Sequence, residues 1–349
     1  AEPSKLRMAV LIIGAGYLGA SLAGLLLDQG RQVVALENGF STDPAALAGL
    51  QQRGLVLVQG DMQDPTACRR ALELCPALEA VFLLAAQASA AYAAEHPEET
   101  EELNLRGPRV FLDVLLDGRT TPAGARPLLI FGSSLKVCGP CLTSDVEDEA
   151  PYGLCLDLSH LSKVYGEKLL EMYAQRAGLP AWSVRLPVLH GVSPVMKRDA
   201  RFQTVLNRFC AQAVSGEPLR VHAGAAGCFQ GFLHVRDAAA ALAWLADQPA
   251  TAGHRTAVTP CEVLTVAEVA EAVRAAGAAQ GLDVHVDGAA PEERAERPSV
   301  RPGVIPVTVL RRRVAESAAE LVQYYVRQKT AYETEYKLTP VHGHRSGSA

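Results

Sequence analysis

Apolar runs and amphipathic segments alternate through the first half of the chain. Residues 8–13 form an unbroken apolar run, typical of a strand buried on both faces, and lead directly into the glycine-rich stretch 14–19 (GAGYLG). Leucines then recur at helical spacing up to Gly30, and residues 32–36 form a second apolar run that ends at Glu37. This order predicts a strand, a tight turn, a helix and a second strand.

The same alternation continues to residue 186. Further strands are predicted at residues 55–59, 80–84, 127–131 and 181–186, and helices near residues 44–53, 65–74, 98–116 and 159–176. The helix at 98–116 contains Gly107-Pro108, which is expected to interrupt it. Such alternation predicts an α/β fold of the Rossmann type, a doubly wound parallel sheet with helices on both faces. The strand at 181–186 is expected to complete the sheet.

The stretch 14–19 has the glycine spacing of a dinucleotide-binding loop. In such a loop Gly14 permits the tight turn, Gly16 leaves room for a pyrophosphate to reach backbone N–H groups, and Gly19 lets the helix pack closely on the strand. The phosphates would lie at the N-terminus of the helix, where backbone N–H groups have no partner within the helix.

Glu37 bears on the choice of dinucleotide, because it ends the second predicted strand. A carboxylate there accepts hydrogen bonds from the adenosine ribose hydroxyls and repels a 2′-phosphate, which favours NAD over NADP. The nearby cations Arg31 and Arg53 leave NADP open.

The sequence pattern changes after Pro187, where glycine and proline lie closer together and the periodic segments are shorter. We therefore expect a nucleotide-binding domain over residues 1–187 and a smaller, C-terminal substrate-binding domain over residues 188–339. Residues 233–260, which include a predicted helix at 235–246, are expected to pack back on the first domain. The polar residues 340–349 are predicted to be a disordered tail.

Charge and hydropathy exclude two classes of partner. The 349 residues carry a formal net charge of −5 and no basic stripe, which argues against nucleic acid. No run of about 18 apolar residues is present to span a membrane. The first residues lack the apolar segment of a signal peptide, so a soluble, cytoplasmic protein is expected.

The eight cysteines are scattered through predicted core elements, which favours reduced, buried thiols over a disulfide framework. Cys138-Gly139-Pro140-Cys141 has the spacing of a redox-active pair, but that function requires the pair to open a helix in a different fold. No second closely spaced pair of cysteines or histidines accompanies it, and no metal site is expected.

Six segments, together with the glycine loop, resemble the extended short-chain dehydrogenase/reductase family, which includes nucleotide-sugar epimerases, dehydratases and decarboxylases. Besides the glycine loop they are residues 33–38 (VVALEN), 59–64 (QGDMQD), 82–87 (FLLAAQ), Asn104 with Gly107, 232–237 (FLHVRD) and Arg301-Pro302-Gly303. The resemblance implies a homodimer and a dinucleotide held by a defined set of residues. That set is Gly14, Gly16, Tyr17, Leu18, Gly19, Glu37, Asn38, Asp61, Met62, Leu84, Ala85, Ala86 and Lys163.

The resemblance also implies a catalytic serine after the fifth strand and a Tyr-x-x-x-Lys motif on the next helix. Ser134 and Lys163 match this pattern, but the position of the tyrosine is Ser159. An aliphatic hydroxyl is a much weaker acid than a phenol, so the proton chemistry must differ. Tyr165 lies about 200° around the helix from Lys163 and should face elsewhere, whereas Tyr152 in the preceding loop remains an open alternative.

Lys136 is the preferred replacement for the phenol, either alone or beside a water molecule held by Ser159. On an extended chain it would share a face with Ser134 and point into the same cleft. There it would act as an acid or base, or hold an anionic substrate. The alternative, given equal weight, is that the Lys136 side chain is exposed to solvent.

Two positions bear on the substrate. Gln230 stands where nucleotide-sugar members of the family place a diphosphate-binding arginine, and Arg301 resembles the family's other such arginine. The preferred hypothesis is an NAD(P)-dependent oxidoreductase that acts on an alcohol or ketone of a sugar-like metabolite. One alternative is a nucleotide-sugar epimerase that recycles NAD internally. The other is a catalytically degenerate, nucleotide-binding partner subunit.

Overall fold

The alternating pattern of the sequence corresponds to a layered α/β structure. The computed structural model describes residues 9–117, 126–288 and 296–329. The predicted tail at 340–349 lies outside these residues.

The described residues contain strands β1 to β14. The strands are β1 Ala9–Ile13, β2 Gln32–Glu37, β3 Val56–Gln59, β4 Leu78–Leu83, β5 Leu128–Ser134, β6 Val146–Glu147, β7 Pro180–Leu186, β8 Val188–His190, β9 Leu219–Arg220, β10 Phe229–His234, β11 Gly253–Val258, β12 Glu262–Thr265, β13 Val286–Asp287 and β14 Val300–Arg301.

The helices are α1 Tyr17–Asp28, α2 Ala48–Gln52, α3 Pro65–Glu73, α4 Ala90–Glu95, α5 Pro97–Glu101, α6 Gly107–Leu116, α7 Leu158–Ala177, α8 Val205–Ser215, α9 Ala223–Ala226, α10 Val235–Ala246, α11 Val266–Ala278 and α12 Val314–Arg327. Single turns of 3-10 helix occupy Pro44–Leu47, Leu135–Cys138, Ala200–Phe202 and Val307–Val309.

Seven parallel strands form the main sheet, in the order β3-β2-β1-β4-β5-β7-β11. The predicted Rossmann-type α/β fold is thereby confirmed. The expectation that residues 181–186 complete the sheet is wrong, because β11 adds to the edge of β7 from beyond residue 187.

Side chains of each strand alternate between the two faces of this sheet. Val10 and Ile12 pack in one core with α1 and α10, whereas Ala9, Leu11 and Ile13 pack in the opposite core with α3, α6 and α7. Because α10 belongs to the first of these cores, residues 235–246 lie on the main sheet and not with the C-terminal elements.

The predicted break at Gly107-Pro108 is also wrong. The irregularity lies one turn earlier, where residues Glu102–Arg106 form a π-helical turn, and α6 then starts at Gly107. Pro108 is in the first turn of α6, where its missing N–H leaves no hydrogen bond unmade.

The smaller C-terminal part combines the sheet β8-β10-β12 with helices α8, α11 and α12, which share one apolar core. Its β10 pairs in parallel with β8 and antiparallel with β12. Because β8 follows β7 after a single residue, both parts meet at the carboxyl end of the main sheet. No helix among the described residues is long and apolar enough to cross a membrane.

A disulfide joins Cys141 to Cys228, which corrects the expectation that all eight cysteines are reduced. It links the segment after β5 to the start of β10, two regions that are 87 residues apart in sequence. The other six cysteines are free thiols, and Cys138 and Cys141 do not pair with each other.

Candidate active site

A cleft opens at the carboxyl ends of the parallel strands, the position at which open α/β sheets bind ligands. Sixteen of the residues singled out from the sequence line this cleft together. They are Gly14, Gly16, Tyr17, Leu18, Gly19, Glu37, Asn38, Asp61, Met62, Leu84, Ala85, Ala86, Ser134, Lys136, Lys163 and Gln230. Residues far apart in sequence therefore share one site.

The three loop glycines meet different steric demands. Gly14 has a φ of +93°, and a Cβ there would lie 2.7 Å from Cα of Ala85; a Cβ at Gly19 would lie 2.0 Å from the carbonyl oxygen of Gly14. At Gly16 a Cβ would meet only Oγ1 of Thr42, at 3.2 Å. Gly14 and Gly19 are thus required by the protein backbone itself, whereas Gly16 has room for a side chain.

The N-terminus of α1 lies at the cleft, because Gly16, Tyr17 and Leu18 line it. Gly16 is the N-cap residue, and no side chain caps this end. Helix N-termini of this kind bind phosphate groups through N–H donors and the helix dipole. Tyr17 holds this end of α1 against the C-terminal part, since its hydroxyl donates to the carbonyl oxygen of Gly191 at 2.5 Å.

We expect Gly16→Ala to leave the fold intact and to weaken dinucleotide binding at least about tenfold, because the new methyl group would occupy space that the pyrophosphate needs. Isothermal titration with NAD⁺ measures the affinity, and the unfolding midpoint monitors the fold. Gly49→Ala is a matched control, since a Cβ at Gly49 meets nothing within 4 Å and Gly49 does not line the cleft. Unchanged affinity in Gly16→Ala would contradict the placement of the phosphates.

Glu37 ends β2 as a buried carboxylate. Burial raises its pKa, and its Oε1 accepts a hydrogen bond from the backbone N–H of Gly39 at 2.8 Å. Asn38 donates to Oδ2 of Asp61 at 2.7 Å, which places a second carboxylate beside the first. These acceptors fit the ribose hydroxyls of NAD.

The two arginines that left NADP open are engaged elsewhere. Arg31 pairs with Glu79 and Asp247, and Arg53 pairs with Asp28. Neither arginine lines the cleft. Among the described residues, a 2′-phosphate bound near Glu37 would thus meet a carboxylate and no arginine.

Lys163 lies deep in the cleft on α7. Its Nζ donates to the carbonyl oxygen of Gly132 at 2.7 Å. Burial, together with the nearby ammonium group of Lys197, lowers the pKa of Lys163 to about 8. The side chain therefore lies at the end of β5, beside Ser134.

Lys136 lines the cleft together with Ser134, as expected, but the chain between them is not extended. Residues 135–138 form a 3-10 turn and not an extended chain, and the Ser134 hydroxyl accepts from the backbone N–H of Lys136 at 3.2 Å. Burial lowers the pKa of Lys136, and the carboxylate of Asp157 partly offsets that effect.

The structure places two predicted site residues outside the cleft. Ser159 is only 2% exposed and does not line it; its hydroxyl donates to Oδ1 of Asp157 at 2.5 Å. Arg301 forms an exposed ion pair with Asp145. Ser159 therefore faces away from the cleft, and Arg301 is not among the residues that line it.

Neither nearby phenol replaces the missing tyrosine. The Tyr152 hydroxyl donates to Oε2 of Glu167 at 2.9 Å, which holds the ring against the buried Glu167–Arg185 ion pair. Tyr165 is partly exposed on α7. Neither phenol lines the cleft.

Two titratable lining residues were not identified from the sequence, His160 and Lys197. His160 precedes Lys163 by one helical turn, and Asp157, the N-cap of α7, bonds its Nδ1. The spacing Asp157, His160, Lys163 was therefore visible in the sequence. Lys197 lies in an irregular segment of the C-terminal part, where no motif marks it.

The family model described as NAD dependent epimerase/dehydratase family matches residues 10–259. The chain belongs to this family. It is accordingly an enzyme of a family that uses NAD, and NAD is its cofactor. The predicted membership of the extended short-chain dehydrogenase/reductases is thereby confirmed.

Two relatives show the range of this similarity. The D-erythronate dehydrogenase of Cupriavidus necator is 32% identical over 194 residues, which cover 52% of this chain and 55% of the relative. UDP-glucuronate 4-epimerase 1 of Arabidopsis thaliana is 27% identical over 229 residues, covering 62% of this chain and 49% of the relative. The chain thus spans about half the length of the curated relatives it matches.

Solved structures of the family share the fold over nearly the whole chain. The UDP-glucose 4-epimerase of Thermus thermophilus in complex with NAD is 25% identical with a TM-score of 0.69, and 91% of this chain and 99% of that chain are covered. The UDP-glucose 4-epimerase of Bifidobacterium longum is 18% identical with a TM-score of 0.75, covering 92% and 99%.

Proposed function

We propose that the protein is an NAD⁺-dependent dehydrogenase that oxidises a secondary alcohol of a small sugar acid. The observation that carries the proposal is the set of cations in the cleft. Lys136, Lys163 and Lys197 line it, and no arginine does among the described residues. With Lys163 assigned to the nicotinamide ribose, the ammonium groups of Lys136 and Lys197 favour a substrate with a carboxylate. The 32% identity to a D-erythronate dehydrogenase supports the same substrate class.

The absence of arginine among the described residues of the lining argues against a nucleotide sugar. A diphosphate is recognised well by planar guanidinium groups, which donate two parallel hydrogen bonds. Gln230 occupies the position of one such group and Arg301 is paired with Asp145 outside the cleft. A small sugar acid needs neither contact.

We assign the following roles to residues of this chain. The Ser134 hydroxyl donates a hydrogen bond to the reacting oxygen, and Lys163 binds the nicotinamide ribose. Lys136 and Lys197 hold the carboxylate and so orient the carbon that loses hydride. NAD, when bound, supplies the hydride acceptor.

The proposal is tested by following NAD⁺ reduction with D-erythronate and other four- and five-carbon sugar acids, with UDP-glucuronate and UDP-glucose as competing probes. We expect NADH to accumulate with a sugar acid only. Conversion of a nucleotide sugar without net NADH, together with NAD found by mass spectrometry in the denatured protein, would instead establish the epimerase alternative. Failure of the chain to bind NAD at all would overturn both enzyme hypotheses, whereas NAD binding without turnover of any probe would favour a degenerate nucleotide-binding partner subunit.

Lys197→Met is expected to raise KM for the sugar acid about tenfold or more with little change in kcat, since it removes a charge that holds the carboxylate. Burial lowers the pKa of Lys197 to about 8, so kcat/KM should fall as the pH rises through that value and the ammonium groups lose their protons. Because Lys197 also depresses the pKa of Lys163, this alkaline limb should move to higher pH in the variant.

Lys168→Met is the control for this variant, because Lys168 is exposed on α7 and pairs with Glu171. An unchanged KM in Lys197→Met would remove Lys197 from the substrate site. A change of equal size in Lys168→Met would show that overall charge, and not the cleft, is responsible.

Homodimerisation stays a prediction. The described surface offers Leu161 and Tyr165, which lie one helical turn apart on α7 and are 54% and 37% exposed. We propose that this face of α7 packs on a second copy of the chain.

A further inference from the structure

We propose that His160, oriented by Asp157, transfers the proton that a phenol transfers in other members of the family. The inference rests on the proposed dehydrogenase function and deepens it. It makes His160 a catalytic residue and Asp157 a positioning residue, roles that neither side chain has in a Tyr-x-x-x-Lys motif.

Asp157 uses both carboxylate oxygens to fix the first turn of α7. Its Oδ1 accepts from the backbone N–H of His160 at 3.0 Å and from the Ser159 hydroxyl, while its Oδ2 bonds Nδ1 of the imidazole. Burial alone would raise the pKa of Asp157, but the hydrogen bonds from His160 and Ser159 outweigh it and hold that pKa below its usual range. Asp157 is therefore a carboxylate, and it selects the tautomer of His160 that carries its proton on Nδ1.

The ring nitrogen left for chemistry is Nε2. No described residue hydrogen-bonds to it, and the His160 side chain is 21% exposed at the cleft. In the Nδ1–H tautomer Nε2 carries a lone pair and accepts a proton. A group of this kind, held by a carboxylate on its other nitrogen, is the usual arrangement of a histidine base.

His160 and Lys163 lie three residues apart and so share one face of α7. Both line the cleft, with Ser134 and Lys136 also on its wall. The residue that occupies the tyrosine position, Ser159, turns away and bonds to Asp157 instead. Serine at position 159 thus does not leave the site without a titratable group, because the neighbouring residue His160 supplies one.

The proposed step is balanced. The substrate O–H proton passes to Nε2 of His160, the C–H bond breaks, and its electron pair leaves as hydride to NAD⁺ while the C=O bond forms. The products are the ketone, NADH and a His160 imidazolium, whose charge the Asp157 carboxylate stabilises. The imidazolium then releases its proton to solvent. Reduction follows the same path in reverse.

His160→Gln is expected to lower kcat/KM for NAD⁺ reduction by D-erythronate by about 10²–10⁴-fold. The affinity for NAD⁺, measured by titration, should be unchanged. Added imidazole should restore part of the rate in His160→Ala, which a purely structural role would not allow. His285→Gln is the matched control, because His285 is an exposed histidine paired with Asp287.

A second measurement does not depend on turnover. In ¹⁵N-histidine NMR of the wild-type protein, the resonance lost in His160→Gln should report the Nδ1–H tautomer. Asp157→Asn should shift it toward the other tautomer and lower kcat without changing the NAD⁺ affinity. Detection of Nε2–H in the wild-type protein would overturn the proposal.

The outcomes separate this inference from the function on which it rests. If the wild-type protein oxidises the sugar acid and His160→Gln does so at an equal rate, the dehydrogenase function stands and the role of His160 is wrong. If the wild-type protein binds NAD⁺ but reduces it with none of the probes, the proposed function is overturned and the proton-transfer step with it.

Discussion

Lys163→Met is expected to lower kcat for NAD⁺ reduction by about 10²–10⁴-fold. The side chain is buried in the cleft, its Nζ donates to the carbonyl oxygen of Gly132, and methionine preserves its length without the charge. In the roles we propose for Lys163, the variant loses the hydrogen bond to the nicotinamide ribose and a positive charge near the oxygen on which negative charge develops.

Steady-state kinetics and NAD⁺ titration together check this expectation, with Lys168→Met as the control on the same helix. We expect kcat to fall and the affinity for NAD⁺ to weaken in Lys163→Met alone. A variant with wild-type kcat would show that catalysis does not use the lysine of the motif.

Arg185→Met is expected to destabilise the fold by about 3–5 kcal/mol, the cost of leaving a buried charge without its partner. Arg185 on β7 and Glu167 on α7 are 3% and 0% exposed, and they form two hydrogen bonds of 3.0 and 3.1 Å. Glu167 also accepts from Ser133 and Tyr152, so its carboxylate holds together the end of β5, α7 and the loop that contains Tyr152.

Urea unfolding measures the free energy of unfolding of this variant. The double variant Arg185→Met with Glu167→Gln is the control, because it removes both charges and should recover part of the lost stability. A loss below about 1 kcal/mol in Arg185→Met would mean that the pair is not the anchor of α7 beneath the active site.

Local sequence rules predicted the cofactor half of the site because the backbone dictates it. Gly14 needs a positive φ and Gly19 needs close helix–strand contact, and both requirements follow from a strand–turn–helix unit. The same holds for Glu37, whose place at the end of a strand fixes where its carboxylate lies.

The catalytic half was predicted less well because motif spacing does not determine side-chain direction. Ser159 stands at the right distance from Lys163, yet its short hydroxyl reaches the N-cap Asp157 and not the cleft. The same N-cap bonds to His160, a contact that a capping preference at Asp157 could have suggested.

Long-range features had no local signal at all. The edge strand β11, the disulfide between Cys141 and Cys228, and the position of Lys197 in the cleft all depend on segments that meet only when the two parts of the chain pack together. A composition argument for reduced thiols cannot detect two cysteines brought together by folding.

The central claim is that the substrate carbon gives its hydride to NAD⁺ that then leaves the enzyme. D-erythronate deuterated at its secondary carbinol carbons, incubated with the protein and excess NAD⁺, tests this most directly by mass spectrometry of the released dinucleotide. We predict NADH that carries one deuterium per turnover, together with the ketone of the sugar acid. NADH that never appears in solution, with turnover of UDP-glucuronate to its 4-epimer and substrate hydrogen retained at carbon 4, would contradict the account.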